Sequence, residues 1–273
     1  MSATAARAET RSDALLLPVA SLWWREIVRF YRQPSRVVGV IASPLVFWLV
    51  IGSGFGTSFR GAGGSDPHYL EYFFPGALVM IVLFTSIFAM MSVIEDRREG
   101  FLLSVLVAPI RRSAIVLAKV LGGTTLAGIQ GLAFLIFAPL VGAKPGPAEL
   151  LLVGLIVFLM SFALTALGFA VAWRLDSTQG FHAIVNLFLI PLWLLSGALF
   201  PIHGASGWIR VLMRANPLTY GVESLRAVLF PAAGTTSSGL PLSGALVVQA
   251  AFCVVMFAIA YREANRRTTK PAA

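Results

Sequence analysis

Six long stretches of the chain contain almost no charged residues, and they predict the architecture of the protein. Asp, Glu, Lys and Arg are absent from five of the stretches, and the third contains only Lys119. A helix needs about 20 residues to cross the roughly 30 Å hydrocarbon core of a bilayer, so each stretch is long enough for one crossing. We therefore predict six spans, which cover residues 37–59, 72–94, 113–143, 150–173, 180–201 and 243–261.

Helices are predicted rather than loops because backbone inside hydrocarbon must satisfy its own hydrogen bonds. The composition indicates the same class of protein: 58% of the residues are hydrophobic and 12% are charged, whereas about a quarter of a soluble domain is charged. The expected fold is all-α and integral to the membrane, with residues 1–273 forming a single transmembrane domain. Lys119 lies near one end of its span and is expected to extend its ammonium group to the interface.

An amphipathic helix is predicted before the first span, over residues 15–36. Its apolar residues recur every three or four positions, and its arginines fall on another face. This pattern is typical of a basic helix in the membrane interface, with tryptophans at headgroup depth. Anchoring alone and an added contact with a cytoplasmic partner are both open at this point. The residues that define this predicted interfacial helix are Trp23, Trp24, Arg25, Arg29 and Arg32.

The distribution of Lys and Arg predicts the orientation. With both termini on the cytoplasmic side, five of the 21 Lys and Arg residues fall outside and 16 fall inside. Because positive residues concentrate on the cytoplasmic side of membrane proteins, we predict a multi-pass protein of the cell (inner) membrane with both termini in the cytoplasm. The same bias accounts for the net charge of +9 without nucleic-acid binding.

The densest charge cluster follows the second predicted span. Five charged residues run from Glu95 to Glu99, and Gly100 then leads into apolar residues at helical spacing, up to Pro109. We predict a short amphipathic helix along the membrane surface with its charges facing the cytoplasm, which suits docking to a soluble partner. A solvated surface loop is the alternative interpretation. The residues assigned to docking are Glu95, Asp96, Arg97, Arg98, Glu99, Gly100 and Leu103.

Sequence motifs for chemistry are missing from the chain. It contains no G-x-x-x-x-G-K-[ST] sequence, which excludes a phosphate-binding loop of that type. The three histidines are scattered and predict no metal site, and a candidate nucleophile such as Ser53 has no positioned base. The predicted span interiors carry no Asp or Glu, which weighs against an ion-coupled carrier. We expect no catalytic residue and no cofactor bound by this chain.

Three stretches of sequence resemble those of type-2 ABC exporter permeases. They are EGFLL at Glu99–Leu103 with a proline at position 109, LSGALFPI at Leu195–Ile202, and NPLTYGVESLR at Asn216–Arg226. The chain is similar to the single-domain permeases of drug, lipid and polysaccharide exporters, including the daunorubicin-exporter kind. The similarity extends from the predicted interfacial helix to the last span, and the NPLTY block is its most specific part.

The resemblance implies a partnership and a set of functional elements. Such permeases pair as dimers, here a homodimer, and bind separate ATP-binding-cassette subunits that hold ATP and Mg. The segment around Glu95–Leu106 would be the coupling helix, and the predicted interfacial helix would be the elbow helix. Short re-entrant external helices over Pro201–Phe230 would close the outer mouth, and the gate residues among them would be Asn216, Pro217, Tyr220, Glu223 and Arg226.

The function that the resemblance implies is outward transport of an amphiphilic substrate (a drug, lipid or glycan), driven by ATP hydrolysis on a partner subunit. Two other classes stay open from the residues alone. One is a six-span secondary carrier or channel without an ATPase, and the other is a membrane-embedded enzyme, which the missing catalytic base disfavours.

Overall fold

The computed structural model of the protein describes residues 3–54, 69–108, 110–231 and 239–266. These residues form helices joined by turns, without a β-strand. Short 3₁₀ turns occupy Leu135–Val141 and Ile202–Gly204. The α-helices are α1 Ala3–Tyr31, α2 Pro34–Gly54, α3 Tyr69–Ala89, α4 Met91–Arg98, α5 Phe101–Val107, α6 Arg112–Phe134, α7 Pro147–Arg174, α8 Thr178–Leu194, α9 Gly207–Ala215, α10 Pro217–Leu229 and α11 Leu242–Asn265.

Four helical segments in the described part of the chain are long and apolar enough to cross a membrane. They are Tyr69–Arg98, Arg112–Val141, Pro147–Arg174 and Leu242–Asn265, and each overlaps a predicted span. The other two predicted spans correspond to shorter apolar helices, Pro44–Gly54 within α2 and Thr178–Leu194. The membrane-protein class is thus confirmed with four candidate spans, and the count of six stays a prediction. Residues 55–59 of the first predicted span lie outside the described residues.

Helix α3 forms the centre of the bundle. Its residues are buried on every side, because α2, α6, α7 and α10 all pack around it. Small residues permit the closest approaches. A Cβ atom added at Gly131 of α6 would lie 2.8 Å from a methyl group of Val82. On the α2 side, the Trp48 ring meets Phe74 edge-on, with ring centroids 5.6 Å apart.

Helix α1 lies along α6. The indole nitrogen of Trp23 donates a hydrogen bond to the hydroxyl of Thr125 at 3.0 Å, and Gly122 leaves room for the side chain of Glu26. The predicted interfacial helix continues without a break to residue 36. In the structure α1 ends at Tyr31, and Pro34 begins α2, where its fixed φ suits a first helical turn.

Helices α9 and α10 fill the region predicted to form external helices. Helix α10 lies inside the bundle, against α3, α7 and α11. A Cβ atom added at Gly221 would lie 2.4 Å from the sulfur of Met160, and Met160 stands halfway along α7. Helix α10 therefore reaches the middle depth of a candidate span.

Candidate functional site

The carboxylate of Asp96 on α4 is fully buried and is surrounded by three cations. Arg25 donates two hydrogen bonds to it, of 2.8 and 3.1 Å, and Arg29 donates one of 2.5 Å. The ammonium group of Lys119 on α6 donates to the second carboxylate oxygen. A buried charge is stable only when it is paired and hydrogen-bonded, so these contacts explain how Asp96 stays inside the protein.

Lys119 is buried and uses all three of its N–H donors. Besides Asp96, the ammonium donates to the carboxylate of Glu26 at 2.6 Å and to the hydroxyl of Ser92 at 3.2 Å. The expectation that Lys119 extends to the interface is wrong, because its partners stand on α1 and α4 immediately beside it. Glu26 is not among the predicted site residues, although a carboxylate on the apolar face of an amphipathic helix is itself a signal of a buried partner.

The arginines of α1 also reach the far side of the cluster. Arg29 donates to Glu95 at 2.9 Å and to Glu99 at 3.4 Å. The guanidinium of Arg25 lies over the Phe101 ring, 3.7 Å from its centroid. Burial disfavours the charged form of Arg25, but hydrogen bonding and attraction to Asp96 outweigh it and raise the pKa of the guanidinium. We call Glu26, Asp96 and Lys119, with Arg25, Arg29, Glu95 and Glu99 around them, the ionic cluster.

Arg97 and Arg98 point away from the ionic cluster, toward the end of α7. Arg97 donates to the Trp173 carbonyl at 2.6 Å and to the Leu175 carbonyl at 3.1 Å. It also pairs with Asp176 at 2.9 Å, and Arg98 donates to the Asp176 carbonyl at 3.0 Å. The last carbonyls of a helix lack intrahelical donors, so Arg97 caps α7, while Arg98 binds the turn that follows the helix.

The predicted helix over Glu95–Leu106 is two helices in the structure. Gly100 separates α4 from α5 with a φ of +76°, a left-handed conformation that favours glycine. The predicted stop at Pro109 lies outside the described residues. The five-charge run was expected to face the cytoplasm. Instead Asp96 faces inward, because Arg25, Arg29 and Lys119 neutralise it there.

Helix α5 rests on a small apolar cluster and exposes its opposite side. Leu102 and Val105 are buried against Ile115. Leu103 is 64% exposed and Val107 is 86% exposed. We call Leu103, Ser104 and Val107, together with Glu99 at the end of α4, the outer face of α5; all four are exposed.

The remaining residues of the predicted interfacial helix divide between two environments. Trp23 is half-buried against α6 through its bond to Thr125. Trp24 is exposed, with its ring centroid 6.2 Å from that of Trp23, and Arg32 is exposed as well. Arg25 and Arg29 therefore serve the ionic cluster, while Trp24 and Arg32 face outward.

The predicted gate residues lie on and before α10. Asn216 caps the helix by accepting a hydrogen bond from the Leu218 amide at 3.0 Å, and Pro217 is the first helical residue. Tyr220 donates to the Arg214 carbonyl at 2.7 Å. Glu223 is buried on the inner side of the helix. The capping of α10 thus follows directly from the Asn-Pro sequence.

Arg226 joins α10 to the turn after α8 and to α3. Its guanidinium donates to the Gly197 carbonyl at 3.1 Å and to the Tyr72 carbonyl at 3.3 Å. It also lies 4.1 Å from the centroid of the Tyr72 ring. The Tyr72 hydroxyl donates to the same Gly197 carbonyl at 2.9 Å. We call Tyr72, Gly197 and Arg226 the outer latch.

Within the described ranges, no group of three or more His, Cys, Asp or Glu side chains is placed to hold a metal ion.

An all-helical bundle with several apolar helices of membrane-spanning length defines a multi-pass membrane protein. Residues 19–230 match the sequence profile of the ABC-2 type transporter family, and the chain belongs to that family of transport permeases. These matched residues include the ionic cluster, the outer face of α5 and the outer latch.

Several proteins are similar to this chain over most of its length. The daunorubicin resistance ABC transporter permease protein DrrB1 of Streptomyces coeruleorubidus is 25% identical over 253 residues, which cover 89% of this chain and 85% of that protein. A protein of Cyanophora paradoxa named as a transport permease, ycf38, is 28% identical over 79% of this chain and 75% of its own length. Nodulation protein J of Neorhizobium galegae is 22% identical over 78% of this chain and 82% of its own length.

Proposed function

We propose that this permease works as a homodimer with a separate ATP-binding-cassette ATPase, and exports an amphiphilic substrate across the cell (inner) membrane. Both termini lie in the cytoplasm, and six helices of each copy cross the membrane. ATP and Mg are bound by the partner subunit, which fits a chain without a phosphate-binding loop. The substrate class is a drug, lipid or glycan, in keeping with a relative named for daunorubicin resistance.

The outer face of α5 is the observation that carries this proposal. It exposes two large apolar side chains, Leu103 and Val107, beside the polar Glu99 and Ser104. The neighbouring turn at Gly100 lies among charged side chains, where a water-facing surface is expected. Exposed apolar residues with a polar rim are typical of protein interfaces. A soluble ATPase that covers this face completes the assembly.

The seven residues assigned to docking divide into two roles under this proposal. Glu99 and Leu103 contact the ATPase, and Gly100 supplies the bend that presents them. Asp96 holds α4 to α1 and α6, and Arg97 holds α4 to α7. Glu95 and Arg98 contribute to these two attachments. A docking helix attached by these contacts moves together with the bundle, so a displacement caused by the ATPase reaches the other helices.

The outer latch is the proposed outer gate. Asn216, Pro217 and Tyr220 fix the position of α10, and Arg226 joins α10 to the Gly197 turn. Separation of α10 from α3 would open a path beside Tyr72. Glu223, on the same helix, would then contact the path.

A secondary carrier without an ATPase is the second candidate function, because Glu223 places a buried carboxylate on α10 inside the bundle. Acidic side chains at membrane depth are typical of ion-coupled carriers. A carrier of this kind would work without the outer face of α5.

Purification of the tagged full chain from mild detergent, followed by mass spectrometry and an ATPase assay, tests the proposal. We expect a soluble ATPase in stoichiometric amount. Leu103→Glu with Val107→Glu should release it, whereas Val211→Glu, at an exposed apolar position on α9, should not. Absence of an ATPase from the wild-type preparation would refute the proposal and favour the carrier.

A further inference from the structure

An apolar groove of about 340 Å³ lies between α7, α8 and α11. Its volume falls within the range of about 300–1,000 Å³ that is typical of ligand sites. Two charged residues, Arg174 and Glu263, stand at one end of the groove. The six apolar residues that line the rest are Leu167, Ala170, Val171, Leu175, Ile184 and Ile259.

The charges and the apolar walls are separated along the helix axes. Leu167 precedes Arg174 by seven residues, which is about 10 Å along a helix. Ile259 precedes Glu263 by one helical turn on α11. The groove therefore has a charged mouth and an apolar interior. This distribution of polarity matches that of an amphiphile.

The mouth carries an excess of positive charge. Arg174 donates hydrogen bonds of 2.8 and 2.6 Å to the Glu263 carboxylate, and Arg266 pairs with the same carboxylate at 3.2 Å. Arg262 is exposed on the same turn of α11. Two arginines thus pair with one carboxylate, a third arginine is exposed on the same turn, and each guanidinium has five N–H donors. Donors remain available for an anion at the mouth.

The groove opens on the side of the bundle, where lipid is expected. Ile184 and Ile259 are partly exposed along it, and both belong to apolar helices. Its mouth lies at the end of the bundle that carries the ionic cluster, because Arg97 of α4 caps α7 there. That end is the cytoplasmic one in the predicted orientation, where anionic lipid headgroups attract basic side chains.

We propose that the groove binds one anionic phospholipid of the surrounding bilayer. One acyl chain lies against Leu167, Val171 and Ile184, and the headgroup phosphate meets Arg174, Arg262 and Arg266. The lipid fills the space beside α8, which otherwise meets the bundle with a single buried stripe of Phe181, Val185, Leu189 and Trp193. It thereby attaches α8 to α7 and α11. This site is independent of the ATPase and of the transported substrate.

Titration of the purified full chain in detergent with phosphatidylglycerol and with phosphatidylcholine of the same acyl chains tests the proposal, with bound lipid counted by native mass spectrometry. We expect the wild type to bind phosphatidylglycerol more tightly than phosphatidylcholine. Each arginine in contact with the bound headgroup is expected to contribute about fivefold to the binding of that lipid. The double variant Arg262→Gln with Arg266→Gln should therefore bind phosphatidylglycerol roughly 25-fold more weakly than the wild type does, and its affinity for phosphatidylcholine should be unchanged.

A control double variant separates a site from a general effect of charge. Arg32→Gln with Arg214→Gln removes the same charge at exposed positions outside the groove, and should bind phosphatidylglycerol like the wild type. Ile184→Trp fills the groove at a partly exposed position and keeps every charge. This variant should bind phosphatidylglycerol more weakly than the wild type does. Equal binding of the two lipids to the wild type would overturn the proposal. Equal losses in the two double variants would overturn it too.

Discussion

Lys119 on α6 donates a 2.6 Å hydrogen bond to Glu26 on α1, across 93 residues of sequence. The same ammonium group also binds Asp96 on α4. One buried lysine therefore joins the helix before the first predicted span, the end of the second span and the third span.

Replacement of Lys119 by Met should destabilise the protein by about 3–5 kcal/mol, because it leaves two buried carboxylates without their shared cation. Thermal unfolding in detergent measures the effect. Lys144→Met removes an exposed lysine and should change the stability little. Addition of Glu26→Gln to Lys119→Met should recover part of the loss. A Lys119 variant as stable as the Lys144 control would contradict the role of the ionic cluster.

Asp96→Asn and Asp176→Asn form a second matched pair. Both aspartates accept hydrogen bonds from arginines of the α1 and α4 region, but Asp96 is fully buried while Asp176 is 71% exposed. An exposed ion pair contributes about 0–1 kcal/mol, whereas removal of a buried partner costs several times more. In chemical denaturation, the free energy of unfolding should be much lower for Asp96→Asn than for Asp176→Asn. The reverse order would show that Asp96 is not the centre of the cluster.

Gly100→Ala should reorient α5 without creating a steric clash. A Cβ atom at Gly100 would meet nothing within 4 Å, so only the left-handed backbone is strained, at a cost of about 1–2 kcal/mol. We expect weaker capture of the ATPase in a pull-down. Gly128→Ala is the control, because Gly128 is helical and also has open space around it. Unchanged capture by Gly100→Ala would mean that the bend does not present the docking surface.

Glu99→Ala should reduce transport while the permease still inserts and folds. The Glu99 carboxylate is largely exposed and lies 3.4 Å from Arg29, so its contribution to stability is below about 1 kcal/mol. Transport and ATP turnover measured together should show hydrolysis without matching export. Full transport by Glu99→Ala would remove Glu99 from the docking residues.

Arg226→Gln should loosen the outer latch. The variant loses the charge-assisted hydrogen bonds to Gly197 and Tyr72, each worth about 1.5–3 kcal/mol, and the cation–π contact with the Tyr72 ring. Leakage of a small dye from proteoliposomes should increase. Arg214→Gln, at an exposed position on α9, should leave the rate of dye leakage unchanged. Equal leakage from the two variants would argue against a gate at Arg226.

The sequence predicted the apolar helices well because length and hydrophobicity decide whether a segment suits a bilayer. The predicted span over 150–173 corresponds to Pro147–Arg174, and that over 243–261 to Leu242–Asn265. The cap at Asn216 and the helix start at Pro217 depend only on adjacent residues, so the Asn-Pro sequence is sufficient to explain them.

Contacts between distant helices could not be predicted in the same way. Lys119 was expected at the interface because nothing in its own span indicates that Glu26 packs against Gly122. Gly100 was placed inside a continuous helix, and only its backbone conformation shows the break. The direction of the charge run was wrong at Asp96 for the same reason, since its partners come from α1 and α6.

The segment Tyr69–Arg98 is helical with one interruption, at Met90. Tyr72, near one end, belongs to the outer latch, and Asp96, near the other, belongs to the ionic cluster. The two residues are 24 positions apart, or about 36 Å along a helix. Gly168 of α7 packs against this segment close to its interruption, where an added Cβ atom would lie 3.2 Å from Ile87. One continuous stretch of chain therefore connects the ionic cluster, beside the proposed ATPase-docking face, to the outer latch, which is the proposed gate. The two proposed working ends of the permease thus share a single structural element.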